Sequence, residues 1–476
     1  MTYPALHLLI DGAFIGAEAR AGEPVINPAT NRTLAVLPHA RAADLEAALQ
    51  AAARGFAIWR DVTAAERARI IKKAADLIRD RSEAIAQAMT LEQGKPLAES
   101  RGEVAYAADV IEWYAEEGRR AYGRIVPSRA PGVRLMVEHE PVGVAVAFTP
   151  WNFPALTPAR KIGGARAAGC ALVLKPAEET PATALELARA FVDAGLPNGV
   201  LNVVFGDPAE VSRHLIASPQ SQKVSFTGSV PVGRQLMELS ARHMKRTTME
   251  LGGHAPVVVF DDVDVEGVAA ACVAAKFRNA GQVCIAPTRF YVQEAAYQQF
   301  VARFTEGARS LVVGDGASPG VQMGPLANAR RVDAMERMIA DARARGIEIG
   351  AGGARRGNEG FFFEPTVLVG VGDDALAMRE EPFGPLAPIA SFKDMDDVVR
   401  RANGLPYGLA AYAFTTSNRR ALDIGRALKA GMVGVNSFAV SHPETPFGGV
   451  KESGHGQEGG VEGLHAYLDV KLLSHG

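Results

Sequence analysis

The sequence predicts an α/β protein with a parallel sheet and a second α/β domain, and three observations carry that expectation. From Val142 onward, short apolar runs alternate with helical patterns: Val142–Phe148, Cys170–Leu174, Val200–Phe205, Lys223–Phe226 and Thr247–Met249. Unbroken apolar strands separated by amphipathic helices belong to sheets covered on both faces. A second alternation begins near Ala255, with Val257–Phe260, a helix through Val265–Arg278, and strands near Arg289–Val292, Ala387–Phe392, Leu409–Phe414 and Met432–Asn436. The third observation is size. A chain of 476 residues, 48% hydrophobic and 22% charged, can bury two or three domains without covalent staples.

Ahead of the first sheet, an extended start leads into three amphipathic segments, Ala42–Trp59, Ala64–Ala88 and Glu99–Arg120, with apolar residues at three- and four-residue spacing. Ligands of parallel sheets sit at the carboxyl ends of strands. Lys175, Gly206 and Gly228 fall at those ends, where a dinucleotide would lie. The tail, Leu464–Leu473, reads as a strand after a glycine-rich loop, and such a terminus needs docking. No repeat or low-complexity linker separates the parts.

A formal net charge of -2 argues against nucleic acid or an anionic membrane as partner. The three cysteines, Cys170, Cys272 and Cys284, form no CxxC pair, which suits a reducing compartment. The apolar run Leu8-Leu9-Ile10 is broken at once by Asp11, unlike a signal peptide, and nothing approaches the roughly 18 apolar residues of a membrane span. The cytoplasm is the expected location.

Several short strings carry chemistry. Cys284 closes Gly281-Gln282-Val283-Cys284, where a nucleophile could follow a helix; an isolated cysteine is more often a buried structural thiol. Glu250-Leu251-Gly252-Gly253 places a carboxylate at a strand end, either a general base or a solvated charge. In Pro150-Trp151-Asn152-Phe153-Pro154, an amide held between prolines suits an oxyanion, or caps a turn. Gly228-Ser229-Val230-Pro231-Val232-Gly233 follows a strand and opens a helix, whose free N–H groups attract phosphate. With 49 glycines the spacing alone is weak, and the strand–helix context carries the argument. Lys175-Pro176-Ala177-Glu178 offers a cation and a carboxylate to ribose hydroxyls, or forms a surface salt bridge.

Together, PWNFP, KPAE, FTGSxxxG, ELGG, GQVC, EEPFGP and PFGGVKESGHGQE resemble, in order and spacing, the NAD(P)-dependent aldehyde dehydrogenase superfamily. The likeness spans essentially the whole chain. Within the superfamily, AKFRNAGQVC, GHAPVVV and Glu116–Pro127 look most similar to succinate-semialdehyde dehydrogenases and their relatives acting on α-ketoglutarate semialdehyde.

The resemblance implies a Rossmann-type cofactor domain over 1–122 and 142–252, a catalytic domain over 253–455, and an oligomerisation arm over 123–141 and 456–476. It implies Cys284 as nucleophile, Glu250 as the base that releases the acid, and Asn152 with the Cys284 N–H as oxyanion hole. Pro150, Trp151 and Leu251 would line the cofactor site. Lys175 and Glu178 would face the adenosine ribose; Gly228, Ser229 and Gly233 the pyrophosphate; Glu381 the nicotinamide ribose, with Phe383 beside it. Arg160, Arg278 and Ser441 would grip the carboxylate of a short ω-carboxylated aldehyde, best succinic semialdehyde. The implied cofactor is NAD, with NADP possible; no metal is implied. The implied assembly is a homodimer or homotetramer, in which the arm pairs with the C-terminal tail of a neighbouring subunit.

Two departures matter. Ala286 stands where some succinate-semialdehyde relatives carry a second cysteine, so a local disulfide switch is not expected. Ser441 looks like the succinate-semialdehyde type, whereas His442-Pro443-Glu444-Thr445-Pro446 looks closer to the α-ketoglutarate-semialdehyde type. A cofactor-free thiol hydrolase or acyltransferase could also use Cys284, Asn152 and Glu250, but would leave the phosphate loop and Glu381 without work.

Overall fold

The five apolar runs of the first alternation become parallel strands: Val144–Phe148, Ala171–Lys175, Leu201–Val203, Ser221–Gly228 and Arg246–Leu251. They are seen in a computed structural model that describes residues 3–18 and 20–476. Val144–Phe148 lies between Ala171–Lys175 and Ser221–Gly228, with Leu201–Val203 beyond the former and Arg246–Leu251 beyond the latter. Strand order therefore reverses beside Val144–Phe148, and a crevice opens there at the carboxyl ends. Pro150–Asn152 leaves one side of that crevice and Gly228–Ser229 the other. Antiparallel edge strands complete an eight-stranded sheet, Leu8–Ile10 and Ala13–Ile15 at one end, Gly454–His455 at the other. Every residue of Val144–Phe148 and Ala171–Lys175 is buried, which is why neither shows polar alternation.

Among the helices, Ala42–Trp59 has the expected bounds, and its fully buried Trp59 donates from Nε1 to the Arg166 carbonyl at 2.9 Å. The single helix expected over Ala64–Ala88 is two, Ala64–Asp80 and Ser82–Gln93, parted at Arg81. Arg81 leaves helical geometry (φ -99°, ψ 7°) and pairs with Asp193 at 2.7 Å. Both pieces bury apolar faces, so the periodicity runs through a one-residue break that it cannot register. Gly94, at φ 94°, ends the second piece in the left-handed conformation common at helix C-termini.

The second alternation forms a seven-stranded sheet ordered Glu348–Ala351, Thr366–Val369, Leu386–Phe392, Pro287–Gln293, Ala255–Val259, Ala410–Phe414, Met432–Val435. All neighbours are parallel except the first pair. The edge strand Glu348–Ala351 and its neighbour Thr366–Val369 were not expected; at four residues each they are too short for a pattern. Each sheet has its own hydrophobic core.

The tail departs from expectation twice. It starts as a short helix, Gly460–His465, and becomes a strand only at Leu468–His475. That strand pairs antiparallel with Arg134–Pro141 of its own chain, from Leu468↔Pro141 to His475↔Arg134, rather than with a neighbouring subunit's arm. Eight consecutive residue pairs satisfy the strand locally, and Arg124–Val126 adds a third strand. Among the described residues, no helix is long and apolar enough to cross a membrane.

Candidate active site

Cys284 owes its position to an unusual backbone. The helix Val265–Phe277 stops, and Asn279, Ala280 and Gly281 follow with φ of 49°, 52° and 74°. Left-handed geometry costs non-glycine residues roughly 1–3 kcal/mol each, so the surroundings must impose it. They do. The Asn279 N–H donates to Glu99 Oε2 at 2.9 Å, and its Nδ2 to the Asn152 carbonyl at 3.0 Å. Gln93 Nε2 donates to Asn279 Oδ1 at 2.8 Å. A side chain on Gly281 would overlap the Gly384 carbonyl oxygen. The turn aims Cys284 into a cavity of about 520 Å³, partly exposed, while Cys170 and Cys272 are buried.

Glu250, on Arg246–Leu251, reaches the same cavity and adjoins the Cys284 thiol. Burial pushes its carboxyl up to about 8, and the charge of Glu458 adds to the rise against Arg160, Lys161 and the thiol. Burial also holds the Cys284 thiol well above its usual range, reinforced by Glu250 and Glu381 and opposed by Arg160. Burial and mutual repulsion thus both favour the neutral forms of the pair. Asn152 is 3% exposed, and its Nδ2 donates to the Gln282 carbonyl at 3.0 Å, leaving its second N–H free.

Arg160 and Ser441, 281 residues apart, meet at 2.8 Å through Nη2 and Oγ, and Tyr106 OH lies 3.2 Å from the same hydroxyl. The Arg160 guanidinium stacks 3.8 Å above the Phe447 ring. Arg278 lines the same cavity, 5.7 Å from the centre of Phe153, and is much more exposed. Among the described residues, neither arginine has a carboxylate within ion-pair distance.

The cofactor candidates gather on the other side of Cys284. Ser229 precedes the helix Val230–Ala241 without a side-chain cap, which leaves that helix's first N–H groups for a phosphate. A side chain on Gly233 would overlap Leu251, so the helix packs directly on the strand beside the crevice. Lys175 and Glu178 form an ion pair. From the second sheet's side comes Glu381, whose Oε1 accepts the Gly253 N–H at 3.2 Å; desolvation pushes its carboxyl up to about 7. Phe383, at φ 42°, meets Trp151 edge-on at 5.5 Å between centroids. Free helix N–H groups, an acidic pair member and a second carboxylate around one crevice fit a nicotinamide dinucleotide.

Three buried lysines near the site escaped the sequence reading. Lys161 Nζ contacts Ser225 Oγ at 3.1 Å, Thr227 Oγ1 at 2.9 Å and Glu458 Oε1 at 2.5 Å. Lys276, fully buried with an unpartnered Nζ, is pushed down to about 7 by desolvation against the attraction of Glu381. Lys95 Nζ donates to the Asn152 carbonyl at 2.8 Å. Lys161 adjoins Arg160, and Lys276 lies within AKFRNAGQVC, but spacing alone cannot show which lysine of a helix points inward.

A Rossmann-type sheet, a cysteine–glutamate pair and a dinucleotide crevice define a nicotinamide-dependent oxidoreductase. The chain belongs to the aldehyde dehydrogenase family, whose model matches residues 14–473. It is therefore an NAD(P)-dependent enzyme acting on aldehydes. It is 49% identical over 464 residues to a 4-(hydroxymethyl)benzenesulfonate dehydrogenase of Comamonas testosteroni, covering 96% of this chain and 97% of that one. It is 45% identical over 465 residues to the succinate-semialdehyde dehydrogenase (NADP(+)) of Escherichia coli strain K12, covering 98% and 96%. Among solved structures, a succinate-semialdehyde dehydrogenase from Burkholderia pseudomallei superposes with a TM-score of 0.97 at 44% identity, covering 98% and 97%.

Proposed function

We propose that this enzyme oxidises a short aldehyde carrying an acid group at its far end, with succinic semialdehyde the leading substrate and α-ketoglutarate semialdehyde the alternative. The observation that carries the reading is the cavity itself. Two arginines without carboxylate partners, one held by Ser441, share a pocket with Cys284. A guanidinium in such a pocket gains more from a carboxylate than it would at a surface.

In this reading the Cys284 thiolate adds to the aldehyde carbon, forming a C–S bond and an alkoxide. The free Asn152 N–H and the Cys284 backbone N–H receive that charge; one preorganised donor is typically worth about 3–4 kcal/mol of barrier. A nicotinamide held beside Glu381 and Phe383 would supply the hydride acceptor and a positive charge that favours the Cys284 thiolate. Glu250 takes a proton from water, which attacks the thioester carbon and expels the Cys284 thiolate. Arg160, Arg278 and Ser441 hold the distal carboxylate. Lys175, Glu178, Gly228, Ser229, Gly233, Leu251, Pro150, Trp151, Glu381 and Phe383 hold the cofactor, with NAD favoured over NADP by the carboxylate of Glu178.

A second reading has its own support. The cavity is lined by Tyr106, Phe153, Tyr412, Phe438 and Phe447 and exceeds what a four-carbon chain fills, which suits an aromatic aldehyde with an acid group opposite. The Comamonas relative is named for a benzenesulfonate. We assign 1–122 with 142–252 to the cofactor domain, 253–455 to the catalytic domain and 123–141 with 456–476 to an oligomerisation arm. Exposed Ile125, Val470 and Leu472 on that arm support a homodimer or homotetramer. The deciding experiment compares kcat/KM for succinic semialdehyde, 4-carboxybenzaldehyde and butyraldehyde. The acid-bearing aldehydes should lead, and a preference for butyraldehyde overturns the proposal.

A further inference from the structure

Beneath the oxyanion turn lies an ion pair that the reaction scheme does not use. Lys95 and Glu103 have side chains only 1% and 3% exposed, and Nζ meets Oε2 at 2.5 Å. The same ammonium donates to the Asn152 backbone carbonyl at 2.8 Å and sits 4.4 Å above the Phe153 ring. Glu103 uses its other oxygen, Oε1, to accept the Ala155 N–H at 2.8 Å and the Leu156 N–H at 3.1 Å. Those amides begin the helix Leu156–Ala168, which carries Arg160 and Lys161. One ion pair thus grips the turn at both ends, at the residue that presents the amide and where the helix starts.

Burying two charges is costly unless each finds further partners. Here the ammonium donates to two oxygens and faces the Phe153 ring, and both carboxylate oxygens accept, so neither buried charge is stranded. It also joins the nucleophile's turn, because Asn279 Nδ2 donates to the same Asn152 carbonyl at 3.0 Å. A peptide gripped from two directions cannot rotate, and the Asn152 side chain keeps one N–H on Gln282 and the other free.

We propose that Lys95, backed by Glu103, is a positioning residue that fixes the Asn152 peptide so that its amide meets the developing alkoxide. This rests on the assignment of Asn152 to the oxyanion hole, and the test separates the two. The variants are Lys95→Met combined with Glu103→Gln, which avoids a stranded buried charge, the conservative Lys95→Arg, and each of these in an Asn152→Ala background. Active sites are counted by titrating the Cys284 thiol, and the pre-steady-state NADH burst rate is read per titrated site. Small displacements of a reacting group cost one to two orders of magnitude. The Met/Gln variant should therefore slow the burst about tenfold or more with KM changed less than about threefold, and Lys95→Arg should recover most of the rate. In the Asn152→Ala background the Met/Gln change should cost less than about threefold further, because the group it positions is gone. An equal cost in both backgrounds, or an unchanged burst per titrated site, overturns the positioning role while leaving Asn152 in place. A parent burst rate in Asn152→Ala alone overturns the oxyanion assignment, and the proposal with it.

Discussion

Lys161 Nζ and Glu458 Oε1 lie 2.5 Å apart, joining residues 297 positions distant on the buried side of Glu250. Glu458 raises the Glu250 carboxyl and Lys161 lowers it, so the pair tunes the candidate base through space. A raised value means the carboxylate, the form that accepts a proton from water, is the minor species below about pH 8. Thioester hydrolysis should thus climb with pH, with its midpoint near 8 and a plateau above it. Replacing Glu458 by Gln removes a like charge and frees Lys161, and both changes lower the Glu250 value. The rising limb should move to lower pH in single-turnover hydrolysis; a move to higher pH would contradict this coupling.

The thiol and the base should separate in time. Cys284→Ala should abolish aldehyde oxidation while nucleotide binding, read by fluorescence, stays near the parent value. Glu250→Gln should release at most one NADH per site and then stall, since the thioester forms but lacks its base. Stopped-flow absorbance distinguishes the two, and steady turnover at the parent rate in Glu250→Gln removes that residue from the mechanism.

Arg160 and Arg278 should discriminate for charge. The ratio of kcat/KM for succinic semialdehyde over butyraldehyde should fall at least about tenfold in Arg160→Leu and in Arg278→Leu, as a lost charged hydrogen bond costs about 1.5–3 kcal/mol. Arg160 should show the larger loss, because Ser441 and Phe447 hold it in place while Arg278 is exposed. Unchanged ratios in both variants exclude the arginine clamp.

Cofactor choice should follow Glu178. Its carboxylate accepts hydrogen bonds from ribose hydroxyls and repels a 2′-phosphate, though its ion pair with Lys175 softens the repulsion. NAD should give the higher kcat/KM, and Glu178→Gln should shift the NAD/NADP ratio toward NADP by about tenfold, the equivalent of ~1.4 kcal/mol. A tenfold parent preference for NADP defeats the assignment.

Gly281→Ala should damage the nucleophile's turn. At φ 74° and against the Gly384 carbonyl, an added methyl brings both strain and overlap, together worth at least ~2 kcal/mol. The expected result is a lower thermal midpoint and slower Cys284 alkylation by iodoacetamide, with Cys170 and Cys272 still inert in the folded protein.

The layers and the candidate residues of the site were legible in the sequence. Continuous apolar runs such as Val144–Phe148 can only be buried on both faces, and local strings such as GQVC and ELGG name their residues without help from the fold. It missed features that local pattern does not encode. The break at Arg81 leaves helical periodicity intact on both sides, and the tail's partner, Arg134–Pro141, lies more than 300 residues upstream. The charge environment was equally hidden. That Lys95 lies under Asn152, that Glu458 faces Glu250 and that Ser441 holds Arg160 emerges only in the folded chain. These contacts join distant parts of the chain in a dry interior, where a charge's effect depends on distance and burial rather than on its neighbours in sequence.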